Sequence, residues 1–288
     1  MNQRIENENL RVEIKEHGAE LTSVKNRRGY EFIWQGDKRF WAKQCPVLFP
    51  ICGRLYDKKY RYEGKTYEME SHGFASRSDF KSEKKSETEA VFTLTENEET
   101  LRQYPFRFVF SVIYRLEGDC LVTEYKVENP DTKPMYFNFG SHEAYRTEGQ
   151  FSDWSIEFEK KEDLYVKVQP KLGFLNGERK LYRAGVKDLV MGAEHFAEDT
   201  LILDGLQSKS VTLKHKEEKV VTVFFEGFEN LLVWTKVGAP YLCIEPWNGL
   251  PDFYGFDGDL SDKRGIVRLD GGKSFSMAHK IRFYDVMI

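Results

Sequence analysis

RFVFSVIYRLEGDCLVTEYKVE, running from Arg107 to Glu128, is the stretch that decides the fold. Its even positions up to Leu116 read Phe108, Phe110, Val112, Tyr114 and Leu116. After the polar turn Glu117-Gly118-Asp119, one face reads Leu121, Thr123, Tyr125 and Val127, and the other carries Glu124, Lys126 and Glu128. Successive side chains on a strand point to opposite faces, so period-two alternation predicts a hairpin with one face buried and one wet.

Similar short runs recur outward from this hairpin: Leu10–Ile14, Glu31–Trp34, Ala90–Thr95, Met135–Phe139, Trp154–Phe158, Tyr165–Val168, Ser210–Leu213, Val220–Phe225, Leu231–Thr235, Tyr241–Ile244 and Phe275–Tyr284. Turn residues such as Asn129-Pro130-Asp131 and Gly238-Ala239-Pro240 separate them. No long stretch keeps a helical period; Glu96–Gln103 and Ala184–Phe196 each have room for one short helical turn. No repeat, low-complexity tract or linker interrupts the pattern. The expectation is an all-β chain, residues 1–288 forming a single domain, with two large antiparallel sheets packed as a β-sandwich.

Composition narrows the function classes. The 288 residues carry a formal net charge of -4, which lacks the basic footprint of a nucleic-acid binder. No stretch reaches the apolar length of a membrane span, and the N-terminal MNQRIENENL is too polar for a signal peptide. Cys45, Cys52, Cys120 and Cys243 form no C-x-x-C pair, so free, mostly buried thiols in a reducing cytoplasm are expected. Aromatic residues make up 15%; most belong to core and cross-strand packing, and a few can offer a ligand a stacking face.

Three places carry polar chemistry at strand ends and loops. In SHGFASRSDF, His72 precedes a glycine, which suits close backbone approach beside a side chain aimed into space. In YFNFGSHEAY, His142 follows the end of an apolar strand, where an imidazole can reach a cleft or merely bond to backbone. In YLCIEPWNGLPDFYG, Glu245 follows an apolar run and precedes Pro246, which has no backbone donor to neutralise it. Partial burial would raise that carboxyl toward the range of a general base. A structural ion pair is the plainer alternative. His17, His215 and His279 lie in polar strand segments and are expected at the surface, while His195 can border the same cleft.

Taken together, these segments resemble the aldose 1-epimerase (galactose mutarotase-like) family, and most of all its LacX-type branch. The resemblance runs in order through HGAEL at His17–Leu21, FIWQGD around Trp34, PVLFPICGRL at Pro46–Leu55, HGFA at His72–Ala75, YPFRF at Tyr104–Phe108, FNFGSH at Phe137–His142, EDTLILDGL at Glu198–Leu206 and CIEPWNGLPD at Cys243–Asp252. It implies a β-supersandwich with an open cleft and cofactor-free interconversion of sugar anomers. By similarity Glu245 is the general base, His142 the general acid, and His72 a second histidine that polarises the substrate. Arg54, Asp199 and Trp247 match substrate-contacting positions, and Asp252, in the same EPW-x-G-x-x-D pattern, matches a cleft residue or a cleft support. The usual Arg directly after HGFA is here Ser76, with Arg77 next, and Lys43 and Gln44 precede PVLFP; both departures bear on sugar identity.

The expected partner is a small-molecule sugar, with no nucleic acid or membrane; a homodimer is the open alternative to a monomer. Three rival readings remain at this stage. A sugar-phosphate 1-epimerase would need Lys43, Arg54 and Arg77 gathered at the cleft. A non-catalytic carbohydrate-binding module would not need a matched acid and base. A metal centre could use two histidines and one carboxylate, but no local ligand motif supports it and none is expected.

Overall fold

The computed structural model describes residues 2–171 and 173–288. Strands dominate. The hairpin read from the sequence is present as Val109–Glu117 paired antiparallel with Cys120–Glu128, with Leu116 opposite Leu121. Phe110, Val112, Tyr114 and Leu116 are buried, as are Leu121, Tyr125 and Val127 on the return strand. Gly118 sits in the two-residue loop at φ 62°, the left-handed geometry that such tight hairpin turns require.

The hairpin belongs to one fourteen-stranded sheet, not to one of two separate large sheets as expected from the sequence. A three-stranded sheet, Asn2–Glu6, Leu10–Lys15 and Leu21–Asn26, lies apart from it. The sandwich arises because the large sheet curls back on itself. Phe139, in a strand at one end of its hydrogen-bonded path, lies 5.2 Å from the ring of Tyr125 in the hairpin, many strands away along that path. The two layers are thus two halves of one sheet, and Phe49, Phe110, Phe137 and Phe139 fill the space between them.

Several local expectations change. The short helical turn expected within Ala184–Phe196 is present as the 3-10 helix Ala193–Phe196, while the strand Arg179–Val190 takes the first part of that segment. Glu31–Trp34 makes isolated bridges rather than a strand, because the buried Glu31 carboxylate accepts from Ser23 Oγ and from the backbone N–H groups of Val24 and Ile33. The helix expected in Glu96–Gln103 is present at Glu98–Gln103, capped by Asn97. All four cysteines are free and buried. Among the described residues no helix is long and apolar enough to cross a membrane.

One strand matters most for the site. Tyr241–Asn248 runs past the expected end at Ile244 and includes Glu245. Leu242 and Ile244 join the main core between the layers, while Tyr241, Cys243 and Trp247 pack in smaller clusters on the opposite side of the strand. Alternation therefore places Glu245 on the face turned away from the main core.

Candidate active site

A partly open cleft lies on that outer face, lined by polar and aromatic side chains as small-molecule sites are. Its floor is the Tyr241–Asn248 strand and its neighbour Asn230–Trp234, where Leu232 lies opposite Glu245. Glu245, His142, His72, Arg54, Asp199 and Trp247 all line it. The sequence residues that were far apart in the chain are therefore brought to one cavity.

His142 sits in the short link between the strands Phe139–Gly140 and Ala144–Arg146, both paired to the Glu245 strand. That double anchoring brings His142 Nδ1 to 3.4 Å from Glu245 Oε1. Both side chains are buried, at 8% and 1% exposure. Among the described residues, neither His142 Nδ1 nor Glu245 Oε2 has a hydrogen-bond partner. Burial, and next the charge of Glu143, raise the Glu245 carboxyl well above its ordinary range. Burial, and next the neighbouring His72, hold His142 well below the usual imidazole value. Taking a charge out of water disfavours the charged form of either group.

His72 is built differently. It occupies a turn at φ 66°, left-handed backbone that few non-glycine residues adopt. The next residue, Gly73, approaches Phe49 so closely that an added Cβ would lie 2.2 Å from the Phe49 carbonyl oxygen. The glycine signal of the sequence thus marks a real close approach. The His72 Nδ1 accepts a hydrogen bond from the Gly53 N–H at 3.2 Å. That bond assigns the neutral tautomer with the proton on Nε2, which leaves a donor for the cleft. Burial, with Lys43, Arg54 and Arg77 adding repulsion, lowers His72 to about 3.

The supporting residues divide by role. Trp247 lines the cleft edge-on to His72, at 5.4 Å between ring centroids, and its indole N–H donates to the Ser141 carbonyl. Asp252 lies outside the cleft lining; it pairs with Lys263 at 2.5 Å, accepts from the Tyr56 N–H, and donates its own N–H to the Arg54 carbonyl. It thereby fixes the segment that carries Arg54. Asp199 lies at φ 98°, a strained backbone for a non-glycine residue facing a site. Lys43 bonds to Ser76 Oγ at 3.2 Å and bears electrostatically on both His72 and His142.

Sequence reasoning missed several residues. Trp234, Gln169 and Thr200 line the cleft. Trp41 stacks on the His142 ring at 4.8 Å. His279, expected at the surface, is buried and lies 3.0 Å from Glu143. The signal was present: His279 shares its parity with Ile281 and Phe283 along the strand Ser274–Phe283, and both are buried. His17 is exposed as expected and pairs with Asp79, and His215 is half-buried. His195 is buried and bonds Tyr182 and the Val190 carbonyl; it borders an adjoining cavity that shares Gln169, Asp199 and Thr200 with the cleft.

The ligand-type atoms of His142, Cys243 and Glu245 lie within 4.8 Å of one another. Metal binding would need the Cys243 thiolate. Burial and the Glu245 charge push that thiol well up, a cost that a bound ion's own charge would have to offset.

Comparison with known proteins places the chain among relatives. The family model described as aldose 1-epimerase matches residues 1–267. The plasmid-encoded Protein LacX of Lactococcus lactis subsp. lactis is 34% identical over 279 residues, covering 92% of this chain and 93% of its own length. A crystal structure of a galactose mutarotase related enzyme from Lactobacillus acidophilus superposes with a TM-score of 0.93 at 32% identity, covering 99% of this chain and 98% of its own. That of a galactose mutarotase-like protein from Lactobacillus casei gives 0.94 at 32% identity, covering 99% and 100%.

Proposed function

The chain belongs to the aldose 1-epimerase family, and from that membership we propose that it interconverts the α and β anomers of an aldose by general acid–base opening and closure of the sugar ring. It is an isomerase of the epimerase type acting on carbohydrates. The observation that carries the mechanism is the buried His142–Glu245 contact at 3.4 Å, with the His72 ring centroid 5.7 Å from that of His142.

In the reacting state the pair holds one proton, on His142. The Glu245 carboxylate takes the proton of the anomeric hydroxyl; the C1–O5 bond breaks, and O5 takes the proton from His142. The open aldehyde is left beside a neutral carboxylic acid and a neutral imidazole. Those are the two forms that burial favours, so the dry site stabilises the protonation state in which the ring is open. Rotation about C1–C2 presents the other face of the aldehyde, and the same transfers run backwards. His72 donates its Nε2–H to the substrate throughout, and positioned proton carriers of this kind contribute about 10²–10⁴-fold each.

Freshly dissolved α-galactose or α-glucose should equilibrate faster with the protein than without it, followed by polarimetry. No acceleration with any of a panel of free and phosphorylated aldoses would reject the reading. One observation favours a second reading, a sugar-phosphate 1-epimerase: Lys43, Arg54 and Arg77 all act on His72, so the rim beside it is cationic. Guanidinium and ammonium groups are natural phosphate partners. Inhibition of free-sugar exchange by hexose 6-phosphates, weakened by Lys43→Met, would favour the phosphorylated substrate.

A further inference from the structure

Behind the cleft, on the other side of the Glu245 strand, lies a buried acid and base that the mechanism above does not use. Glu143 directly follows His142, and its carbonyl accepts from the Ile244 N–H at 3.2 Å. Its side chain points the opposite way from His142, into the space between the two layers. There its Oε1 meets His279 Nε2 at 3.0 Å, on the strand Ser274–Phe283 of the opposing layer. Glu143 is 4% exposed and His279 2%. Among the described residues, Glu143 Oε2 and His279 Nδ1 have no hydrogen-bond partner.

A carboxyl and an imidazole are costly to bury, and removing one partner strands the other. Apolar residues would hold this layer contact more cheaply, so the pair calls for a purpose. Its geometry supplies one. The carboxyl end lies on the chain segment that carries His142 and beside the strand that carries Glu245; the imidazole end lies on the far layer. Of the pair's two ends, the carboxyl is therefore the one carried next to the reaction centre.

We propose that Glu143, clamped by His279, is a positioning residue that holds negative charge behind the His142–Glu245 pair and so strengthens that pair's hold on its shared proton. The proposal rests on the acid–base reading of the cleft.

The other titratable groups facing Glu143 do not compete for this role. Tyr114 and Tyr125 from the hairpin, Tyr145, Cys45 and Cys243 all feel its charge, and burial keeps each of them protonated by raising it well above its usual value. Tyr125 also lies nearly parallel to the His279 ring, at 5.9 Å. Of the groups that feel the charge of Glu143, Glu245 is the one that lines the cleft. The sign is fixed: a nearby anion raises the proton affinity of an acid, and Glu143 acts on Glu245 in that direction.

The test is Glu143→Gln, which keeps shape and can still bond His279. Both limbs of the pH–rate profile should move to lower pH, by on the order of one unit, the usual scale of such perturbations. The maximal rate should fall several-fold with KM unchanged. If the single variant fails to fold, Glu143→Gln/His279→Gln removes the stranded imidazole and should show the same shift. A folded variant with both limbs unmoved overturns the proposal. Carbon-13 NMR titration of the Glu245 carboxyl reads the same shift without turnover. It separates the two ideas: an inactive wild type would sink the proposed function, whereas an unshifted Glu245 resonance would sink the role of Glu143.

Discussion

His72 and His142 lie 5.7 Å apart in one cleft, and both are pushed away from the charged form, yet the causes differ. His72 is fixed by the Gly53 N–H at the cleft wall and ringed by cations, so its ring is a neutral donor. His142 has no such bond; it faces a buried carboxyl and an aromatic wall of Trp41 and Trp234. A neutral donor tolerates neighbouring positive charge. A ring that must carry a proton for part of each cycle needs an acidic partner within reach. Under the proposed mechanism the same side-chain type does two jobs, set by what touches its second nitrogen.

Glu245→Gln should break the second environment and produce the largest effect. It removes the base and the shared proton together, so kcat/KM for anomer exchange should fall by about 10³–10⁴-fold, the upper part of the range for one proton carrier. Stability should move the other way. A carboxyl raised in the fold binds protons there more tightly than in the unfolded chain, so it withdraws stability as pH rises above its ordinary 4.5. Glu245→Gln should therefore melt higher than wild type at pH 7–8, with the advantage vanishing below about pH 4 (scanning calorimetry across pH). A variant no more stable at neutral pH would show that the acid is not paying a desolvation penalty there.

His142→Asn should cost about 10²–10³-fold, because the acid is lost while the carboxyl remains. His72→Asn should cost less, about 10–100-fold, corresponding to one hydrogen bond that strengthens with the charge on the ring oxygen. Asparagine is the apt replacement at 72 because it tolerates the left-handed backbone found there. The two variants also part in their pH behaviour: His72 titrates only near about 3, so no inflection of wild-type rate near pH 6.5 should be traceable to it. An equal loss in both variants, with equal pH dependence, would erase the distinction between the rings.

How much of this was legible in sequence follows from what alternation can report. The hairpin at 107–128 showed itself because one face is apolar along its whole length. The strand Lys81–Ser86, read KSEKKS, and the strand Arg179–Val190 did not, since nearly all their side chains are exposed and no buried face marks them. Glu31–Trp34 looked like a strand because Phe32 and Ile33 are buried in the core, but the Glu31 carboxylate takes the Val24 and Ile33 N–H groups and leaves only isolated bridges. Within the cleft, Glu245, His142 and His72 stood out because each is polar beside a strand end or a glycine, and the family resemblance joined them. Trp41, Trp234 and Gln169 carry no such mark. Their place depends on segments far apart in the chain meeting across the folded sheet, which local pattern does not encode.

Trp41 supplies the smallest and most selective test. Its ring stacks on His142 and also meets Trp234 and Tyr241, but makes no ring contact with His72. Stacked aromatic pairs contribute roughly 0.5–1.5 kcal/mol beyond burial, which corresponds to about two- to tenfold. Trp41→Leu keeps an apolar cover and removes that stack together with the ring's contacts to Trp234 and Tyr241. If the stack orients His142, kcat should fall by that factor with little change in KM. If Trp41 instead offers its face to the sugar, KM should rise and kcat should hold. In the first case the added loss should largely disappear in a His142→Asn background and persist in a His72→Asn background, because coupling is confined to groups in contact. Equal coupling to both histidines would mean that the cleft responds as one unit, and the separation drawn between its two rings would have to be given up.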